Sequence, residues 1–426
     1  MTHQDDRQQL TRLLREQACW ANVCTEPGMV AFMAANAASM MDEEISEIEI
    51  HLSGGVLKNA LSAGLPHTTE RGPAIAAAAG ALSRMPEKGL TILGELTSDQ
   101  VKKALQMVQH GRVKVKWDTR HQGVHGKCIV RSAHHVAEVT VSGSHTAVVD
   151  RTLDGKSIAP LGGRGSGEGL ASLKSWTFDH LVDIVMSVAP SELSWLLEGA
   201  RSCANLSERK DLSLGSLPAA PENACAALSC NRTVMVEAAE RTVRAIQARM
   251  SGIPWPILTS GGSGNQGIMV SVPIMSIAAD LGFTDDQVIR ALALAHGVNM
   301  LVKAYTGEVS ALCGGVSAGS GLAASVCWML GGSKAQMTEA VTEVLASLCG
   351  MICDGAKETC ALKGESAVMA GIIAGAGATR SSYGIRNQGV VGNSIDETLQ
   401  RLEVLNRRVL AQSDDVLLEL VGVERI

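Results

Sequence analysis

The chain of 426 residues exceeds the size at which one hydrophobic core usually keeps growing, so two domains are expected. Its interior must be filled from 46% hydrophobic but only 3% aromatic residues, with 44 glycines permitting close backbone approach, a composition suited to tightly packed helices. A formal net charge of -6 without long single-sign runs gives no electrostatic footprint for nucleic acid or an anionic membrane surface, which leaves a small molecule as the expected partner.

The polar, acidic start MTHQDDRQQL lacks the basic and apolar stretches of a secretory signal, and the expected location is the cytoplasm. Helical character runs over residues 7–19 and 27–43; Thr25-Glu26-Pro27 supplies a cap with an early proline, which puts Cys24 at a helix N-terminus. Apolar residues alternate over 44–52 (Ile45, Ile48, Ile50 and Leu52, with one slip), and similar patterns recur at 113–117, 127–130 and 135–141. The apolar run 74–82 is too short to span a bilayer, and the stretches 268–281 and 317–332 carry Gly, Ser, Pro or Asp and read as buried helices. Residues 1–205 are therefore expected to form a mixed α/β domain. Between Cys203 and Cys225 the chain turns to Ser, Leu, Lys, Gly and Pro without a period, a connection that sets the domain boundary. From Thr233 onward, stretches such as 234–250, 285–303 and 334–348 are helical between Gly- and Ser-rich breaks, so 206–426 is expected to be all-α. The fold class expected is α+β.

Eleven cysteines in a reducing compartment are no disulfide framework, and their clustering after position 300 points to metal or redox chemistry. Three lie in Gly-bounded or non-periodic settings: Leu312-Cys313-Gly314-Gly315, Ile352-Cys353-Asp354-Gly355 and Thr359-Cys360-Ala361-Leu362. A cluster needs thiolates on turns that can converge, yet this spacing is not the tight ferredoxin type and taken alone favours buried core thiols. Cys19, Cys128, Cys203, Cys225, Cys230, Cys327 and Cys349 lack such settings and receive no role. The run Ser260-Gly261-Gly262-Ser263-Gly264-Asn265-Gln266-Gly267 reads as a loop whose glycines expose backbone N–H groups while Ser, Asn and Gln add donors for an anion, or as a plain helix connector. His67 and His145 are open between substrate contact and structure, His296 reads as a core or cap histidine, Asp354 and Lys357 are equally a solvated pair or contacts to the substrate or its surrounding ligands, and Lys363 reads as structural.

The run GMICDGAKETCALK (350–363), with ALCGG (311–315) upstream, resembles the iron-sulfur serine dehydratase α-chain and L-cysteine desulfidase superfamily. The resemblance covers nearly the whole chain, with further markers at Ser263 to Gly267 and Val391-Gly392-Asn393. Cys24-Thr25-Glu26-Pro27 and Ser144-His145-Thr146 are similar to elements of the desulfidase branch. It implies a 4Fe-4S cluster on Cys313, Cys353 and Cys360, with Cys24 as catalytic base or fourth ligand, and Ser263, Gly264, Asn265, Gln266 and His145 around the substrate. Two departures matter. The tail VGVERI has no cysteine of the kind that caps the fourth iron in serine dehydratases, which favours the desulfidase branch. The family's glycine-Thr-glycine turn is replaced by Gly64-Leu65-Pro66-His67-Thr68-Thr69-Glu70-Arg71-Gly72.

The resemblance implies a lyase of amino-acid catabolism, with L-cysteine giving pyruvate, ammonia and hydrogen sulfide. L-serine or L-threonine dehydration on the same scaffold and a non-catalytic iron-sulfur sensor are the alternatives; a homodimer is the expected assembly. An open iron would bind the substrate carboxylate and leaving group, and Cys24 would serve as base with a thiol pKa depressed by its helix N-terminus and the metal.

Overall fold

The computed structural model describes residues 3–159, 169–209, 211–212, 214, 225, 227, 233–382 and 384–423. Its first part comprises α1 (His3–Gln17), β1 (Trp20–Ala21), α2 (Thr25–Ala38), β2 (Glu47–Ser53), α3 (Gly54–Ser62), α4 (Pro73–Ser83) and α5 (Ser98–Gln109). Strands β3 (Val113–Asp118), β4 (His125–Arg131), β5 (Val136–Ser142), β6 (Val148–Leu153) and β7 (Lys156–Ser157) follow, then α6 (Phe178–Ser187) and α7 (Trp195–Glu208). Beyond residue 233 lie α8 (Val234–Met250), β8 (Ile257–Leu258), α9 (Gly264–Leu281), α10 (Asp285–Thr306), α11 (Gly314–Met329), α12 (Lys334–Leu348), α13 (Cys360–Ala378), α14 (Ile395–Arg408) and α15 (Ser413–Leu420). The α+β expectation holds.

Six strands form one sheet in the order β3-β2-β4-β5-β6-β7. Only β2 and β3 run parallel, because α3, α4 and α5 intervene and cover the crossover; the remaining neighbours are antiparallel. Ile48, Ile50 and Leu52 of β2 alternate inward and are fully buried, which is the period-2 pattern in the sequence. The sheet is covered by α4 over β2 and β3 and by α2 over β4 and β5; every residue of α2 is buried and its Ala and Gly residues let α4 approach it, so that a Cβ on Gly80 would sit 2.2 Å from Ala31 O. In the second half, α12 begins at a capping box between Ser333 and Gln336, and α10 at one between Thr284 and Gln287.

Two features differ from expectation. The second half is not purely helical: after the extended Pro254-Trp255-Pro256 segment, Ile257 and Leu258 pair antiparallel with Ala21 and Trp20. The two hydrophobic cores also do not divide at 205/206. Leu10, Leu13 and Leu14 of α1, together with α6 and α7, pack into the helical core, while Val309 and Leu418 join the sheet core. The apolar face of α6 packs on α10, and that of α7 on α8, α9, α10 and the short strand β8, where a Cβ on Gly199 would sit 2.5 Å from the Leu258 side chain. Most of the connection expected between Cys203 and Cys225 lies outside the described residues, as does Cys230; α7 itself continues to Glu208.

Candidate active site

The sequence settings of the three cysteines become a single structure through two short pairings. Leu312 and Ile352 form an isolated antiparallel bridge, with Cys313 N donating to Met351 O (2.8 Å) and Cys353 N to Ala311 O (2.7 Å). Cys313 and Cys353 are thereby carried side by side, Cys313 as the N-cap of α11. The chain then turns through Gly355, at φ +96°, where a Cβ would meet Lys58 O at 2.9 Å, and delivers Cys360 as the first residue of α13. Cys360 Sγ faces back into that turn, donating to Gly355 O and accepting from Lys357 N, both at 3.5 Å.

All three thiols line one cavity of about 90 Å³. Burial and the neighbouring Cys353 push the Cys313 thiol up to about 12, with Cys360 acting in the same direction; burial raises Cys360 as well. The thiols are thus near enough for each to oppose ionisation of another, and a bound metal relieves that opposition by taking the protons' place. Two elements secure the loop. Lys58, buried on α3, donates to Cys353 O at 2.6 Å and pairs with Asp414, while Cys353 Sγ meets Asn59 Oδ1 at 3.7 Å. Asp354 is clasped by Lys357 and Lys363, which together outweigh its burial and hold its carboxyl down at about 2. Lys363 also donates to Ile352 O at 2.7 Å, so this charged set braces the cysteine loop.

Cys24 reaches the same cavity from the other half of the chain, as N-cap of α2. The expected depressed pKa is not what its surroundings produce. Burial and then the Glu26 carboxylate push the thiol well above its ordinary value, with the Arg249 guanidinium pulling the other way, and Sγ–H donates to Glu26 Oε2 at 3.2 Å. The helix N-terminus is outweighed because the group is 3% exposed and faces an anion. Glu26 in turn accepts from Thr25 Oγ1 and Asn59 Nδ2, both at 3.0 Å. Although burial alone would raise it, His145, Asn59 and Cys24 hold its carboxyl well below the usual range.

The run from Ser263 opens a helix rather than forming an open loop. Gly261 and Gly262 take positive φ, Ser263 is the N-cap of α9, and Gly264 to Gly267 are its first turn. His296 Nδ1 and Asn299 Nδ2 meet Ser260 Oγ at 2.9 and 2.8 Å and brace this turn; burial pulls His296 down to about 4, as suits a neutral core histidine. Ser263, Asn265 and Gln266 line the cavity; Gly264 lies under the Arg249 guanidinium, where a Cβ would be 2.4 Å from Cζ. His145 does not line it. It stands behind, buried, with Nε2 3.8 Å from Glu26 and Nδ1 3.6 Å from Glu308, two ion pairs longer than hydrogen bonds. His67 is exposed on its turn and away from the cavity, and Val391-Gly392-Asn393 leads into α14, with Gly392 N and Asn393 N bonded to Thr398 and Glu397.

Sequence reading missed Asn59, Arg249, Lys303 and Glu308, all on the cavity wall. Lys303 is 3% exposed, donates to Glu308 O at 2.7 Å and is drawn down to about 8 by burial, despite the opposing charges of Glu308 and Glu26. Glu26 was legible beside Cys24, whereas Arg249 and Lys303 sit in ordinary helical runs without a local signal. A larger groove of about 1630 Å³ along α1 and residues 86–91 contains none of the expected site residues.

A family model described as serine dehydratase alpha chain matches residues 87–419. The chain belongs to that family. Within this serine dehydratase alpha chain family member, the matched span holds Cys313, Cys353, Cys360, Ser263 to Gln266 and His145, but not Cys24. A protein named UPF0597 from Moorella thermoacetica is 37% identical over 414 residues, covering 96% of both chains. Others of that name from Caldanaerobacter subterraneus subsp. tengcongensis and Methanocella arvoryzae are 32% and 31% identical, over 97% and 98% of this chain and 97% and 99% of their own. These long relatives extend the likeness across Cys24. Among the described residues no helix is long and apolar enough to cross a membrane.

Proposed function

We propose that this serine dehydratase alpha chain homologue is an iron-sulfur lyase catalysing α,β-elimination on a small L-amino acid, foremost L-cysteine, to pyruvate, ammonia and hydrogen sulfide. The observation that carries this reading is that Cys24 lines the same cavity as Cys313, Cys353 and Cys360. Three thiols on constrained turns, close enough for their charges to interact, fit the donor set of an open-site cluster. Held there, a 4Fe-4S cluster would supply a Lewis acid for the substrate's carboxylate and leaving group.

The remaining work falls to the chain itself. Arg249 and Lys303 bring positive charge to the wall, and Ser263, Asn265 and Gln266 bring polar side chains, a setting for an amino-acid carboxylate. Cys24 is placed to take the α-proton, and it must first yield its own; Glu26 Oε2 already accepts the hydrogen bond from that S–H. Arg249 favours the thiolate, so the active form of Cys24 is populated as pH rises. L-serine or L-threonine dehydration uses the same groups with an oxygen leaving group, and the family match supports it as the second reading.

Anaerobic reconstitution with iron and sulfide, followed by pyruvate and sulfide assays on L-cysteine and L-serine, tests the proposal. Cys24→Ala is expected to keep most of the iron and lose on the order of 10²- to 10⁴-fold in rate, the usual loss for a missing base, whereas Cys313→Ala loses both iron and turnover. Parent-rate turnover by Cys24→Ala would withdraw the base assignment. A fully reconstituted parent inert toward all these amino acids would overturn the lyase reading.

A further inference from the structure

In the sheet, β3 and β4 flank β2 on opposite sides, and the chain passes from one to the other over the end of β2. β3 ends at Asp118, β4 begins at His125, and the connection carries His121. One side-chain atom from each of these residues lies within 4.8 Å of the other two. None of them lines the cysteine cavity.

The chemistry of the three is complementary. Asp118 is a buried carboxylate, held well below its ordinary range first by Arg120. His125 is also buried, and a neutral imidazole there offers a lone pair to an ion. Its Nδ1 lies 3.3 Å from Ser142 Oγ, which leaves Nε2 for a ligand, and a hydroxyl fixing one ring nitrogen is the support that metal-bound imidazoles use. The His121 ring stacks on that of His125 at 3.6 Å and 11°, with its Nδ1 3.0 Å from Asp118 Oδ2; because imidazole lone pairs lie in the ring plane, a shared ion requires the half-exposed His121 ring to turn out of this stack.

The geometry points to a binding site for a divalent first-row transition ion of the zinc type on Asp118, His121 and His125. Two imidazoles with one carboxylate select Zn²⁺ or Co²⁺ over Ca²⁺ and Mg²⁺, which demand oxygen ligands. Three protein ligands leave a fourth position for water. Arg120 is the counter-charge of the ion-free site: its Nε and Nη2 grip the two Asp118 oxygens at 3.1 and 3.2 Å, and its exposed side chain is able to swing away when an ion arrives. The ion joins the end of β3 to the start of β4 and so brackets the end of β2, where Ser53 Oγ donates to Gly123 O at 2.7 Å. From that point α3 departs, carrying Lys58 and Asn59 to Cys353. The role is a structural staple at the root of α3.

The test uses the full chain with Cys313, Cys353 and Cys360 replaced by Ser, so that the cluster thiols do not compete. Co²⁺ titration followed by visible absorption is expected to show one ion per chain, with d–d bands and no thiolate charge transfer. His121→Ala, at a half-exposed position that folding tolerates, is expected to weaken binding by about 100-fold or more. Arg120→Ala is expected to tighten it about tenfold by removing a bidentate competitor, an outcome that misfolding cannot mimic. Thiolate bands in place of the d–d spectrum, no binding at millimolar Co²⁺, unchanged affinity in His121→Ala, or no tightening in Arg120→Ala would each overturn the proposal.

Discussion

His145 is buried between two carboxylates, and its replacement by Gln makes a prediction whose size and pH dependence both follow from the structure. Burial opposes its charge, yet Glu26 and Glu308 win and lift it from 6.5 to about 9. A folded-state pKa above the unfolded one means stability that is fully present below about pH 6.5 and is lost as pH rises through about 9. Each tenfold change in the ionisation constant is worth about 1.4 kcal/mol, so the charge of His145 contributes about 3 kcal/mol at pH 6. His145→Gln forfeits that contribution and leaves Glu26 and Glu308 without it, whereas at pH 10 the parent has already lost it. Urea denaturation of the cluster-free protein at intervals from pH 6 to pH 10 measures the difference. We predict a gap of about 3 kcal/mol at pH 6 that closes to about 1 kcal/mol or less at pH 10. A gap that stays constant across the range would refute the charge argument and leave only packing.

Three further outcomes are expected. Lys58→Met removes the charged donor to Cys353 O and strands Asp414, at a cost of about 3 kcal/mol, and iron content after reconstitution should fall along with the melting temperature. Gly267→Ala places a Cβ 1.8 Å from Leu258 O, a backbone atom that must move, so β8 should loosen and stability drop by about 1–3 kcal/mol or more in chemical denaturation. Lys303→Met removes a buried cation from the cavity wall; if it helps hold the substrate carboxylate, KM for L-cysteine should rise about tenfold or more with iron content unchanged, and an unaltered KM would exclude that role.

Local signals in the chain carried much of the architecture. The Ser333 and Gln336 pair announces α12, Thr233 caps α8 where the apolar period begins, and the alternation of Ile48, Ile50 and Leu52 marks β2, because caps and periods are properties of neighbouring residues. The Gly-bounded or non-periodic settings of Cys313, Cys353 and Cys360 were likewise legible, as was the placement of Cys24 at a helix start. Only the tertiary structure decided what surrounds them. Lys58 and Cys353 are 295 positions apart, and His145 and Glu308 likewise belong to different halves of the chain; no spacing rule connects such pairs. The state of the Cys24 thiol turned on that difference. A helix N-terminus lowers a thiol pKa and is visible in sequence, but the opposing burial and the orientation of the Glu26 carboxylate exist only once the two halves close over them. The assignment of α6 and α7 to the helical core has the same cause: an amphipathic face shows that a helix must pack, and its partner is chosen by the whole fold.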